Sequence, residues 1–355
     1  MREHIDEAKT EKKRKYVAKR PETRKRVMKQ RVLPRKLPEL KELTPETIKE
    51  TVTGIQKAIR ENYVFPEQSE DLCRSLEAHH TNGHYDQITN PRTFCERLTR
   101  HLREIVNDKH MQVLLPGDMP NIDRHAMKRP SESNSTTKTG LTKAEILQGN
   151  IGYINITMFN PLYDSADEIN GAMQFVRSTN SLIIDLRKCR GGSGDAANFL
   201  LSYFFDSETP ITLLETYFRP QNHTFQCQTS RTPFKYVQPV YALTGRFTGS
   251  CGEHFVFALK IHKKATLIGA NTAGLAHPVA FVGLDTGILF KVPIGRTYNP
   301  KTKEDWEGTG ITPDISCSED TALTEALKII YTELIAEATD AAHKEELIEL
   351  KSTLG

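Results

Sequence analysis

One serine stands where a nucleophile is wanted. In the stretch Gln238-Pro-Val-Tyr-Ala-Leu-Thr-Gly-Arg-Phe-Thr-Gly-Ser250-Cys-Gly-Glu-His-Phe-Val-Phe-Ala-Leu-Lys260, Val240 to Leu243 reads as a short buried strand and Gly245 to Gly249 as a tight turn. From Cys251 the apolar positions Phe255, Ala258 and Leu259 recur at helical spacing. Ser250 therefore sits at the mouth of a helix, where free backbone N–H groups point outward and the helix dipole favours a developing oxyanion. Serine is also the ordinary N-cap residue, and this stretch alone leaves both uses open. A second stretch, Leu182-Ile-Ile-Asp-Leu-Arg187-Lys-Cys-Arg-Gly191-Gly192, is a buried strand running into a glycine turn that opens a helix. Such a turn lets a backbone N–H approach a ligand closely, or simply eases a tight strand–helix connection. No Gly-Lys-Ser/Thr follows, which excludes a Walker phosphate loop.

The elements that position these turns follow from periodicity. Thr44-Pro-Glu-Thr opens a helix whose apolar face runs Ile48, Val52, Ile55, Ile59. Leu72 to His79 and Pro91 to Val106 are two more, so residues 41–115 read as a small helical domain that ends in a short strand after His110. Residues 116–149 read as a polar, loop-like linker with a Ser/Thr-rich centre, Ser131 to Thr139. From Asn150 strands and helices alternate: strands over Gly152 to Phe159, Ser181 to Arg187 and Ala265 to Ala270, helices over Ala166 to Arg177 and Ala196 to Phe205. Val279 to Val282 and Ile288 to Pro293 pair around the turn Asp285-Thr-Gly287. Thr321 to Leu334 is an amphipathic helix. The α/β core thus occupies 150–335, with a further helix over 336–355.

Composition narrows the classes. The 355 residues carry a net charge of +3, but residues 1–36 hold fifteen Lys/Arg against five Asp/Glu, leaving the remainder acidic. Nucleic acid is therefore not implied for the body, only conceivably for the basic tail of residues 1–40. That tail is expected to be disordered or loosely helical, as a solubilising segment, a nuclear-import signal or an anionic-surface tether. No apolar run is long enough to span a bilayer, and no signal-peptide core is seen. The six cysteines lack Cys-x-x-Cys spacing and suit a reducing compartment better than a disulfide frame or zinc site. Cytoplasm is the expected location, with the nucleus possible through the tail.

Four motifs in order carry a family resemblance: Asp185-Leu-Arg-x-x-x-Gly-Gly, Phe247-Thr-Gly-Ser-Cys-Gly-Glu253, Gly269-Ala-Asn-Thr-Ala-Gly274-Leu-Ala-His277-Pro and Glu307-Gly-Thr-Gly-Ile-Thr-Pro-Asp314. Over about residues 44–335 the chain resembles the tail-specific (C-terminal processing) proteases, in the interphotoreceptor retinoid-binding protein-like and tricorn-core-like branch. Glu61-Asn-Tyr-Val-Phe-Pro66 and Asp108-Lys-His110 look like the helical domain of the retinoid-binding branch. The resemblance implies a ClpP/crotonase-like ββα core. It makes Ser250 the nucleophile, and Cys251 with Gly191 or Gly192 the oxyanion hole. The lysine of other members is replaced by Leu275, so a Ser–Lys dyad is ruled out there, and the tricorn-like branch points instead to His110 as base and Glu307 as its partner. An imidazole that takes the serine proton and a carboxylate that fixes its tautomer form a coherent set.

His277 is the rival base. His254, a first-turn residue of the helix, is expected to point away, and Cys251 is a weaker nucleophile candidate. The implied activity is a serine-type peptidase acting on peptides or unfolded chain ends through an acyl-enzyme, without metal or organic cofactor. The alternative is a non-catalytic retinoid or fatty-acid binding module on the same fold. The short 116–149 segment has no room for the PDZ module of other members.

Overall fold

A computed structural model describes residues 39–118 and 140–354, so the basic tail of residues 1–36 and the Ser/Thr-rich stretch lie outside the described residues. Three helices come first. α1 (Pro45–Asn62) starts at Thr44, whose N–H donates to Thr47 Oγ1 at 2.7 Å while the Thr47 N–H donates back to Thr44 Oγ1 at 3.3 Å. α2 (Pro66–Thr81) and α3 (Pro91–Ile105) also begin on proline, which lacks only an N–H that the first turn does not use. Asn90 caps α3 by accepting the Arg92 and Thr93 N–H groups at 2.9 and 3.2 Å. Their buried faces, including Ile55, Leu72 and Leu98, meet in one core.

A short strand, β1 (Gln112–Leu114), follows. Beyond it come β2 (Leu141–Leu147), β3 (Ile151–Ile156), α4 (Leu162–Phe175), β4 (Ser181–Asp185) and α5 (Gly194–Leu201). The chain continues through β5 (Thr212–Phe218), β6 (His223–Gln228), β7 (Val240–Thr244), α6 (Cys251–Ile261) and β8 (Thr266–Gly269). It closes with β9 (Val279–Gly283), β10 (Leu289–Pro293), β11 (Gly295–Tyr298), β12 (Ile315–Ser316), α7 (Ala322–Glu337) and α8 (Ala341–Ser352).

The main sheet has the order β12-β8-β7-β4-β3-β2, parallel throughout except for β2 against β3. Its central strands are buried on both faces, which is why they read as unbroken apolar runs. Leu182 and Ile184 face a core with α4, α5 and α6, while Ile183 faces α7 and α8. The expected α/β core after a helical region is what forms.

Two parts of the sequence reading change. Residues 116–149 are not loop throughout, because β2 lies within them. As an edge strand with no fully buried residue and a register shift at Leu141/Lys143, it carries almost no apolar alternation to detect. The stretch between α5 and β7, given no element by the sequence, forms β5 and β6, with β5 pairing antiparallel to β6 on one side and to β11 on the other.

The hairpin β9–β10 forms around Asp285-Thr-Gly287 as expected, yet it serves the helical domain. β1 pairs antiparallel with β10, Val113 opposite Phe290, and Leu284, Ile288, Phe290 and Val292 complete the helical core. Phe290→Ala removes a fully buried ring from this junction. It is expected to cost about 3–5 kcal/mol, read as a lower urea midpoint, whereas Phe175→Ala, at a side chain 54% exposed, should move it little.

Candidate active site

β4 and β7 are parallel neighbours, so the turns at their carboxyl ends lie side by side. The hydrogen bonds between them are short and local. Thr248 Oγ1 donates to the Leu186 carbonyl at 2.8 Å, and the Gly249 N–H donates to the Cys189 carbonyl at 2.9 Å. At the end of this turn Ser250 has φ 51° and ψ −118°, a conformation costing a residue with a side chain on the order of 1–3 kcal/mol. Gly191, at φ 109°, packs against it. A Cβ on Gly191 would stand 2.7 Å from Ser250 Cβ and 3.1 Å from the Cys251 nitrogen, so only glycine fits.

The strained serine is held by a residue that the sequence quoted only as part of a motif. Glu253 is fully buried and its carboxylate accepts four hydrogen bonds. Oε2 takes the Ser250 N–H at 2.9 Å and the Leu275 N–H at 2.8 Å; Oε1 takes the Thr272 hydroxyl and the Gly274 N–H, both at 2.6 Å. Burial raises the carboxyl above its ordinary range, and the four donors oppose that rise. The signal was the Ser-x-x-Glu spacing at a helix start. The same contacts draw the 272–275 loop over the serine turn, with Leu275 Cδ1 at 3.2 Å from where a Cβ on Gly249 would be.

Around Ser250, no backbone carbonyl among the described residues takes the N–H of Cys251, Gly191 or Gly192. The Cys251 thiol donates to the Gly192 carbonyl at 2.9 Å, and burial pushes it up to about 12, so it is protonated at neutral pH. His254 faces away, its Nε2 2.8 Å from Asn198 Oδ1, and burial lowers it to about 4.

The other candidates form a buried cluster beyond the loop. Glu307 Oε2 lies 3.4 Å from His110 Nδ1 and 3.6 Å from His277 Nδ1, at ion-pair distance from both imidazoles, while His110 Nδ1 makes no hydrogen bond among the described residues. It also accepts the Ala276 and His277 N–H groups at 2.6 and 3.0 Å, while Oε1 accepts that of Lys109 at 3.2 Å. Glu307 is thus no surface acid, being 7% exposed at its side chain. Burial works to raise its carboxyl, but His110, then His277 and the Ala276 N–H, bring it below the ordinary value.

Asp108 ties the two histidines together. Its Oδ1 accepts the His110 N–H at 3.0 Å and its Oδ2 sits 2.6 Å from His277 Nδ1. Burial opposes the imidazolium of His277, yet the Asp108 hydrogen bond and the nearby acidic charges lift it above its ordinary 6.5. Lys109 spans the gap to the serine side, its ammonium donating to the Ala273 carbonyl at 2.9 Å.

The structure therefore brings His110, His277 and Glu307 together and couples them through the 272–277 loop to the turn bearing Ser250. Among the described residues no hydrogen bond joins Ser250 Oγ to His110 or His277; such contacts commonly tighten only with substrate. A cavity of about 400 Å³ opens at Asp108, His277 and Glu307, walled by Tyr63, Phe65 and Val106, and Ser250 does not line it. Asp108, His277 and Glu307 each offer an atom within 4.8 Å of the others and so could hold a cation. Those carboxylate oxygens already receive N–H donors, with which an ion would compete.

Comparison with known proteins gives one consistent picture. Residues 150–317 match the model of peptidase family S41, and residues 39–151 match the model of its N-terminal domain in eukaryotic IRBP. A carboxy-terminal-processing protease of Bartonella bacilliformis is 25% identical over 175 residues, 48% of this chain and 39% of that protein. The chain thus spans about two fifths of the length of this curated relative. A putative peptidase from Parabacteroides merdae superposes with a TM-score of 0.59 at 18% identity, over 81% of this chain and 97% of its own. The tricorn protease does so with 0.51 at 13%, over 87% of this chain and 37% of its own. At such identities the structural likeness is one of fold.

Two measurements check this geometry. Glu253→Gln turns an amide donor toward N–H groups that need an acceptor, so it should lower stability by about 1–3 kcal/mol in urea denaturation. For His277 the raised folded value means the native state keeps a proton that the unfolded chain has lost above 6.5. Its stabilisation is complete below 6.5 and fades as pH rises through the folded value. The stability of the wild type relative to His277→Ala should accordingly fall as pH rises from 6.5 through the folded value.

Proposed function

We infer, from the fact that this chain belongs to peptidase family S41, that it is a serine-type peptidase in which Ser250 is the nucleophile, His110 the general base and Glu307 the partner of that base. The observation that carries this reading is the buried His110–Glu307 pair at 3.4 Å, joined by one short loop to a serine in a strained turn at a helix mouth. With Glu307 at Nδ1, His110 has Nε2 left to accept the serine proton. Ser250 Oγ attacks the peptide carbonyl, and its proton passes to His110. The oxyanion is received by the N–H of Cys251 and of Gly191 or Gly192. His110 then protonates the leaving amine, and water hydrolyses the acyl-enzyme by the same route in reverse.

His277 is the rival base in this scheme, since it too has a carboxylate at Nδ1 and Nε2 left free. Its Nδ1 is committed to Asp108, and its Nε2 is buried without a hydrogen-bond partner. The substrates in this reading are peptides or unstructured chain ends, as the name of the Bartonella relative suggests for that protein. A reducing compartment such as the cytoplasm fits the six free cysteines, and no helix among the described residues is long and apolar enough to cross a membrane. The basic tail could add nuclear import or contact with an anionic surface. Retinoid or fatty-acid storage is disfavoured because the cavity presents Asp108, His277 and Glu307, groups an apolar ligand would leave desolvated.

Labelling with a fluorophosphonate tests the scheme. Wild type should be labelled and Ser250→Ala should not. Against a fluorogenic peptide library, His110→Ala should lower kcat/KM by about 10²–10⁴, and Glu307→Gln should lower kcat more than it changes KM. Folded wild type that resists the probe, or Ser250→Ala that still reacts, overturns it.

A further inference from the structure

The helical domain carries a second cluster with no part in the scheme above: we propose that His79, His84 and His101 form a binding site for a borderline divalent metal ion of the Zn²⁺ class. His79 lies on the last turn of α2, His84 in the turn after it, and His101 on α3. One ring nitrogen from each lies within 4.8 Å of the other two, and His79 Nδ1 is 2.7 Å from His84 Nδ1. Zinc bonds imidazole nitrogen at about 2.0–2.1 Å, which sets tetrahedral ligands about 3.4 Å apart. The His79–His84 separation lies below that spacing and the others are no more than 4.8 Å, so ring movements would fit the three to one ion.

The surroundings favour a soft-nitrogen site. None of the three histidines is paired with a carboxylate among the described residues, so their lone pairs are not committed to acidic partners. His101 is buried and its ring is oriented by the Tyr85 hydroxyl, 2.9 Å from Nδ1, the kind of outer contact that holds a ligating imidazole in place. Beside them the buried Nδ1 of His80 also has no hydrogen-bond partner. His79 and His101 stack at 3.6 Å between centroids, 16° from parallel, so both cannot point at one ion in their own planes as they stand. Binding therefore turns His79 and the exposed His84 while His101 stays fixed. Three imidazoles leave an open position for water, and the affinity order of such sites admits Ni²⁺, Co²⁺ and Cu²⁺ as well as Zn²⁺. An ion here would clip the end of α2 to α3 and stabilise the helical domain by mass action.

The test is calorimetric titration of the chelator-stripped full chain with Zn²⁺, together with its thermal unfolding with and without the ion. One equivalent should bind and raise the unfolding temperature. His84→Ala and His79→Ala, both side chains that reach solvent, should each weaken binding by at least about tenfold while far-ultraviolet circular dichroism stays unchanged. Absence of saturable binding, or affinity unchanged in either variant, overturns the site.

Discussion

The carboxylate of Glu253 is closed off from bulk solvent and has four protein donors aimed at it. Those donors come from the Ser250 turn and from the 272–275 loop, so one buried carboxylate joins two segments that share no strand pairing. Left unpaired, the charge would be costly in so dry a place; satisfied, it makes any displacement of either segment costly. Ser250 can thus occupy a conformation that its own backbone disfavours. The glycine at 191 completes the arrangement from the other side by leaving room for the serine.

A second carboxylate repeats this logic one layer out. Glu307 gathers N–H groups from Lys109, Ala276 and His277 and faces the imidazole of His110, so it holds the far end of the loop whose near end Glu253 holds. The loop from Thr272 to His277 is therefore pinned by acids at both ends. Leu275 lies against the serine turn, and in the proposed scheme the proton-accepting task passes to an imidazole brought in from the helical domain. Asp108 and His277 form a second acid–imidazole pair on the same carboxylate, which keeps negative charge beside His110 within a largely dehydrated cluster.

The architecture that allows this is the pairing of β1 with β10. β1 begins two residues after His110, and β9 begins two residues after His277. Once the hairpin has joined the core of the helical bundle, the two histidines arrive on the same acid although they lie far apart in the chain. In the proposed scheme the helical domain is in this sense part of the catalytic frame. The boundary between it and the α/β core is crossed by apolar packing of Leu284, Ile288, Phe290 and Val292 as well as by strand pairing.

Much of this was legible from local chemistry. The doubly buried strands show as apolar runs, the helix starts as Thr-Pro, Asn-Pro and Ser-x-x-Glu, and the two glycine turns as strand-to-helix connections. Each depends on neighbours within a few residues. Edge strands such as β2, and the β5–β6–β11 sheet, escaped because half-solvated strands carry little apolar signal and their pairing partners are distant. A serine at the mouth of a helix, Ser250, and a close glycine turn at Gly191 were determined by the sequence itself. Which acid faces which imidazole, that Glu253 anchors the serine turn, and that three histidines of the helical domain converge were decided only by tertiary structure. Those contacts join residues such as Lys109 and Glu307, 198 positions apart, and no local periodicity encodes a side chain's partner at that range.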